Sequence, residues 1–142
     1  MHKVEIISIF VENKPGKLEK ITKILADSQI NILGFSITSV KDFGVIKIFV
    51  DKTQEAYQLF KEKGFAVAIT PAIGIEIVDK PGGLHEVVKF ISSKGVNIEN
   101  ALVYVPESRK KAFFIFEVDN FEESLGALKN NGYNLLTKDY IK

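Results

Sequence analysis

Two short stretches hold the residue types best able to grip a small charged molecule: Asn13-Lys14-Pro15-Gly16-Lys17-Leu18 and Asp79-Lys80-Pro81-Gly82-Gly83-Leu84. Each follows an apolar run suited to a strand and precedes apolar residues at helical spacing. Backbone N–H groups at a helix start lack intrahelical partners, and the helix dipole adds to their pull on a carboxylate. Gly16 and Gly82 carry no side chain, so a ligand can come close to the backbone. The side-chain oxygen of Asn13 or Asp79 suits an ammonium. The same residues also make an ordinary strand-to-helix turn that needs no ligand, with Asn or Asp as a cap. Duplication copies such a turn equally well. Asn31 and Asn97 read in the same two ways, as polar contacts or as turn residues that tolerate left-handed backbone.

Little else is equipped for chemistry. His2 and His85 are the only histidines, with no neighbouring acids that would complete a metal cluster. Ser108 and Arg109 sit in a polar turn with no base nearby, so nothing assembles a nucleophile, a base and an oxyanion hole. The expectation is a non-enzyme without cofactor or metal. Cysteine is absent, which removes disulfides, thiolate nucleophiles and the metal-chaperone class together, and fits a reducing cytoplasm. Only one of the 19 basic residues is arginine, so anion binding would fall to backbone N–H groups or lysines. A net charge of +1 gives no bulk case for nucleic acid or an anionic membrane. The apolar run Ile6 to Val11 is broken by Ser8 and flanked by Glu5 and Glu12, which reads as a strand rather than a leader or span.

The first Pro-Gly turn recurs 66 residues later as the second, and Asn31-Ile32 recurs as Asn97-Ile98; eight of the 26 positions from Ile9 to Gly34 are identical at that offset. Beyond, the offset becomes 68, pairing Val50-Asp51 with Val118-Asp119 and Gly64 with Gly132, with the extra residues in the polar stretch Pro106–Lys111. A duplicated domain follows, residues 1–71 and 72–142, with Pro71-Ala72 between the copies.

Each copy reads strand, helix, strand, strand, helix, strand. In the first these are Val4–Val11, a helix with Pro15 in its first turn and Leu18, Ile21 and Leu25 on one face, Asn31–Val40, Val45–Asp51, a helix capped by Thr53 and stopped by Gly64, and Phe65–Thr70. In the second they are Ile73–Val78, Leu84–Lys94, Asn97–Val105, Ala112–Asp119, Glu122–Asn131 and Tyr133–Ile141. This α+β order is the split-βαβ sandwich, two helices on one face of a four-stranded antiparallel sheet. A half-covered sheet should alternate apolar and polar residues, yet Ile6, Ile7, Ile9, Phe10 and Val11, and again Phe113 to Phe116, are apolar on both faces. Either local elements cover everything, or the bare face meets a sister domain or a second chain; the second reading predicts a homodimer.

The strand, the Asn-Lys-Pro-Gly-Lys-Leu turn and the helix ending in Gln29-Ile30-Asn31-Ile32 resemble the ACT domain family, and the second copy, closing in Gly95-Val96-Asn97-Ile98, is similar. The resemblance implies two tandem ferredoxin-like domains that bind an amino acid or related metabolite at domain interfaces and regulate a metabolic enzyme. With no enzyme attached, the chain resembles a free-standing tandem ACT protein. In serine-sensing members the ligand is held by an Asn before Pro-Gly, an Asn before the second strand, and a His two residues before the first Asn. The Asn positions correspond to Asn13 and Asn31, and to Asp79 and Asn97; the His position holds Val11 or Ile77, which favours an effector with an apolar side chain. The implied ligand-binding set also takes in Lys14, Pro15, Gly16, Lys17, Leu18 and Ile32, and in the second copy Lys80, Pro81, Gly82, Gly83, Leu84 and Ile98.

Two other classes compete. A purely protein-binding regulatory subunit, similar to the small subunits of acetolactate synthase, would share the first module but not a repeat of it. An RNA-recognition motif shares the βαββαβ order, and Phe114 and Phe116 have the i, i+2 spacing of stacking aromatics, but the first copy has Ile46 and Ile48 in that strand.

Overall fold

A computed structural model of the chain describes residues 4–107, 110–129 and 132–140. His2, Ser108, Arg109 and the expected ends of elements at Asn131 and Ile141 lie outside the described residues. The chain divides into two compact units, Glu5–Thr70 and Pro71–Lys142, the latter also claiming Val4.

In the first unit the elements are β1 (Val4–Glu12), α1 (Lys17–Asp27), β2 (Ile32–Val40), β3 (Phe43–Val50), α2 (Thr53–Glu62) and the opening of β4 (Ala66–Ile77), with strand order β2-β3-β1-β4. Residues directly opposite on paired strands share a face. Ile7 lies opposite Ile48 and Ile9 opposite Ile46, which builds one apolar surface. Ile21 and Leu25 of α1 and Ala56 and Phe60 of α2 pack into the same core as those isoleucines. Fully burying one such side chain is worth about 1.5–3 kcal/mol.

The second unit contains the rest of β4, α3 (Gly83–Ser93), β5 (Ile98–Glu107), β6 (Lys111–Val118) and α4 (Phe121–Leu128), with order β4-β6-β5. Ile73 and Ile75 face Phe116 and Phe114 across β4 and β6, and Val87, Ile91, Leu125 and Leu128 complete that core. Both faces of the inner strands are covered. Ile6 and Ile7 are each fully buried, and so are Ile115 and Phe116. Phe10 departs from this expectation and stays 49% exposed.

Several local expectations need correction. Pro71-Ala72 is not a linker: β4 runs through it, because proline's fixed φ suits extended backbone and costs only one donor. The last strand, Tyr133–Ile141, shrinks to a single bridge between Leu135 and Ile75, held by Leu136 N–H to Gly74 O (2.7 Å) and Glu76 N–H to Asn134 O (2.9 Å), before a 3-10 turn at Lys138–Tyr140. Thr53 lies inside α2 rather than capping it; Lys52 is the cap residue and no side chain caps the helix. Gly64 does take left-handed backbone after α2, with φ 87°.

Candidate functional site

The Pro-Gly turns have the same backbone in both units. Gly16 has φ 89° and ψ −9°, and Gly82 has φ 86° and ψ −13°. Lys17 N–H donates to Lys14 O at 3.3 Å and Gly83 N–H to Lys80 O at 3.0 Å. Proline second, left-handed glycine third and a bond closing the four residues define a type II turn. Proline therefore stands before the helix, not in its first turn. Two readings change with it. Asn13 and Asp79 are not caps, since the cap residues are Gly16 and Gly82 and neither helix has a side-chain cap. The Lys17 amide, expected to meet a carboxylate, is already used; the first helical bond runs from Lys20 to Gly16, which leaves the amides of Leu18 and Glu19 to the opening turn.

Asn13 is exposed, with its amide NH2 donating to Ser39 Oγ at 2.7 Å and its backbone N–H to Asp42 O at 2.8 Å. Its carbonyl oxygen remains for an incoming donor. Beside it Lys14 pairs with Glu12 at 2.8 Å. Hydrogen bonding and charge from Lys14 hold the Glu12 carboxyl below its ordinary value, and Glu12 raises Lys14 in return. Pro15 and Gly16 are exposed; Lys17 and Leu18 are half-buried.

Asn31 is somewhere else entirely. Its N–H donates to Asp51 Oδ1 at 3.0 Å, and Asp51 N–H returns to Asn31 O at 3.2 Å. Asn13 is tied to Ser39, near the other end of β2, eight residues along an extended strand and about 25 Å away. One small molecule cannot touch both within a unit. Nor is Asn31 the left-handed residue of its turn: Gln29 (φ 55°) takes that conformation, and Gly95 (φ 73°) does so in the second unit. Asn97 is exposed and lines a shallow hollow of about 290 Å³ with Gly95, Asp119 and Glu123, also apart from its Pro-Gly turn.

Cavities sort the remaining residues. Val11 and Lys17 border one of about 500 Å³ in the first unit, together with Phe43, Phe65 and Lys20. Leu18 and Ile32 border another of about 380 Å³ between α1 and β2, floored by Ile21 and Ile48. Its one polar side chain, Thr22, donates its hydroxyl to Glu19 O at 2.9 Å, so the lining is almost wholly hydrocarbon. In the second unit Ile77 is buried, while Asp79, Lys80, Pro81, Gly82 and Leu84 are exposed; Ile98 packs against the core. Gly83 is buried, and its backbone lies so close to Val78 that a Cβ there would land on the Val78 carbonyl oxygen.

The largest of these cavities, about 560 Å³, was not foreseen. It lies in the second unit against Glu76, Lys111, Phe113, Tyr133, Asn134 and Tyr140. Single-sequence patterning misses it because these residues come from separate elements; the offset of 68 that equates Lys111 with Phe43 was the available signal. Burial pushes the Tyr104 phenol up, and Tyr140 adds to that. The Phe114 and Phe116 rings stack on each other at 5.3 Å inside the core, where no base can reach them. His85 is exposed, and among the described residues no group of three or more His, Cys, Asp or Glu could hold a metal. No helix among them is long and apolar enough to cross a membrane.

Protein BT0572 from Bacteroides thetaiotaomicron is 31% identical in a crystal structure, with TM-score 0.88 over 99% of this chain and 96% of that one. The regulatory subunit of aspartate kinase from Thermus thermophilus shares the fold at 22% identity and TM-score 0.63, covering 89% of this chain and 90% of its own. The subunit from Thermus flavus does so at 19% and 0.56, covering 87% and 88%. No curated protein matches. The model of a family described as an ACT domain pair matches residues 2–141, and with the repeated turns and duplicated units this chain belongs to that family.

Proposed function

We propose that the chain is a non-enzymatic regulatory sensor for an amino acid or related metabolite with an apolar side chain, acting on a metabolic enzyme. The observation that carries this reading is the cavity beside the first Pro-Gly turn, where Val11, Phe43 and Phe65 meet Lys17 and Lys20. Hydrocarbon walls beside the Lys17, Lys20 and Lys63 ammonium groups suit an apolar body carrying a carboxylate, and Glu12, also on the wall, is paired with Lys14. The amides of Leu18 and Glu19 add donors for that carboxylate, and the Asn13 carbonyl oxygen accepts from the ligand ammonium.

Asn31 lies too far from Asn13 to join it within one unit, so in this reading a second molecule of the chain supplies it. β2 is the edge strand of the first unit and exposes Phe35 (53%), Ile37 (48%) and Val40 (66%), an apolar edge that favours pairing with another copy. Sedimentation at micromolar concentration should then report about twice the chain mass. A protein-binding subunit without effector is the second reading, and the same exposed edge would be its docking strand.

Titration calorimetry with branched and aromatic amino acids separates the two. In the sensor reading Asn13→Ala weakens binding about ten- to a hundredfold, the loss expected for one hydrogen bond to a charged group. Gly16→Val should be harsher, since a branched side chain is strained at φ 89° and blocks approach to the backbone. If Asn13→Ala and Asp79→Ala both keep wild-type affinity while folded, the Pro-Gly turns are structural only.

A further inference from the structure

The internal duplication makes the second-unit cavity readable by comparison. Strand register equates Phe10, opposite Val45, with Glu76, opposite Phe113. The repeat offset equates Phe43 with Lys111, Phe65 with Tyr133 and Ala66 with Asn134. All four first-unit residues border the first-unit cavity and all four second-unit residues border the second. Every exchange runs from apolar to polar. The exchange sets a carboxylate and an ammonium side by side on the cavity wall.

From this we infer that the second unit holds a separate binding site for a small zwitterion with a flat aromatic ring, between Glu76, Lys111 and the rings of Phe113, Tyr133 and Tyr140. Glu76 and Lys111 face each other at 3.6 Å, near the limit of an ion pair, with side chains 30% and 37% exposed. A zwitterion inserted there sets its ammonium on Glu76 and its carboxylate on Lys111, so each protein charge keeps a partner. Asn134 already donates to Glu76 Oε1 at 3.4 Å and orients it. The Lys111 ammonium stands 5.2 Å from the centre of the Tyr140 ring, and Tyr140 meets Phe113 edge-on at 5.2 Å. Phe113 is buried and Tyr133 already stacks on Phe90 at 4.5 Å, so it is the exposed Tyr140 ring, backed by Phe113, that offers a flat ring the offset or edge-on contacts that aromatic groups prefer. The site does not depend on the Pro-Gly turns.

The protein reports on this site by itself. It has no tryptophan and four tyrosines, of which Tyr133 and Tyr140 line the cavity while Tyr104 stacks on Phe113 at 6.2 Å. Tyrosine emission should change saturably on titration with L-phenylalanine. 3-Phenylpropionate, lacking the ammonium, and phenethylamine, lacking the carboxylate, should each bind about tenfold more weakly, as should L-phenylalanine to Glu76→Gln or Lys111→Gln. Asn13→Ala should leave this response unchanged. The site is wrong if no saturable response occurs up to tens of millimolar, if both fragments bind as well as L-phenylalanine, or if Asn13→Ala abolishes the response while Glu76→Gln does not. The fragment comparison needs no variant to fold.

Discussion

The two units share a fold and a turn yet treat equivalent positions differently. At the helix start Lys17 carries a full side chain, whereas Gly83 is pressed against the Val78 carbonyl oxygen. On the inner strand Ser8 of the first unit corresponds to Gly74 of the second, and Ala68 corresponds to Leu136. Gly74 is where a Cβ would come within 2.7 Å of the Leu136 Cβ. The first unit holds two small residues at these positions, and the second holds a glycine and a leucine. Around the cavities Phe10 and Phe43 correspond to a Glu76–Lys111 pair. Duplication preserved backbone and core pattern while half-exposed and facing positions were free to diverge in pairs.

The largest effect should come from the helix start. Gly83→Ala places a methyl on a backbone carbonyl that has no rotamer to yield, and should cost about 3 kcal/mol. Lys17→Ala, at the same position of the first unit, should stay within about 0.5 kcal/mol. Denaturant melts of the two variants decide it; equal losses would mean the close approach at Gly83 is not a real constraint. Next comes Gly74→Ser, which installs the first unit's residue in the second and should cost about 2 kcal/mol through overpacking against Leu136. Adding Leu136→Ala should recover part of that loss, a coupling that a double-mutant cycle measures. Strict additivity would sink the pairing.

The smallest expected effect is electrostatic and confined to the first turn. Glu12 pairs with Lys14, but the second unit has Val78 where Glu12 stands. The Glu12 carboxyl is lowered, so its contribution is present above the ordinary carboxylate range and is lost as pH falls through the lowered value. Lys14 is raised, so its contribution is complete below the ordinary lysine value and is lost as pH rises through the raised one. Between those limits the pair is constant. Both groups are exposed, so Glu12→Gln should leave the melting temperature almost unmoved at neutral pH. A clear drop would show that the ion pair braces the turn.

Periodicity in the sequence was enough to place both helices and the inner strands of each copy, because burying one stripe or one face demands regular spacing. Ile21 with Leu25, Ile73 with Ile75, and the repeat of Pro-Gly at Gly16 and Gly82 were all legible in this way. The last strand was not. The repeat order placed a strand over Tyr133–Ile141, but hydrogen bonding to Gly74 and Glu76 spans only a few residues. The turn type was recoverable from Pro-Gly, yet the helix start depended on where the closing bond fell.

The sequence by itself determined that this chain is a duplicated α+β protein of the ACT kind, because local chemistry and spacing are written residue by residue along the chain. Only the tertiary structure decided which of the polar residues can act together. Asn13 and Asn31 look like one site in sequence, but Asn31 precedes one end of β2 while Asn13, at the end of β1, bonds to Ser39 near the other. Glu76, Lys111 and Tyr140 look unrelated, but strand pairing and the closing 3-10 turn bring them to one cavity. Which residues are neighbours in space depends on register and crossover, and those are properties of the packed chain that no single segment contains.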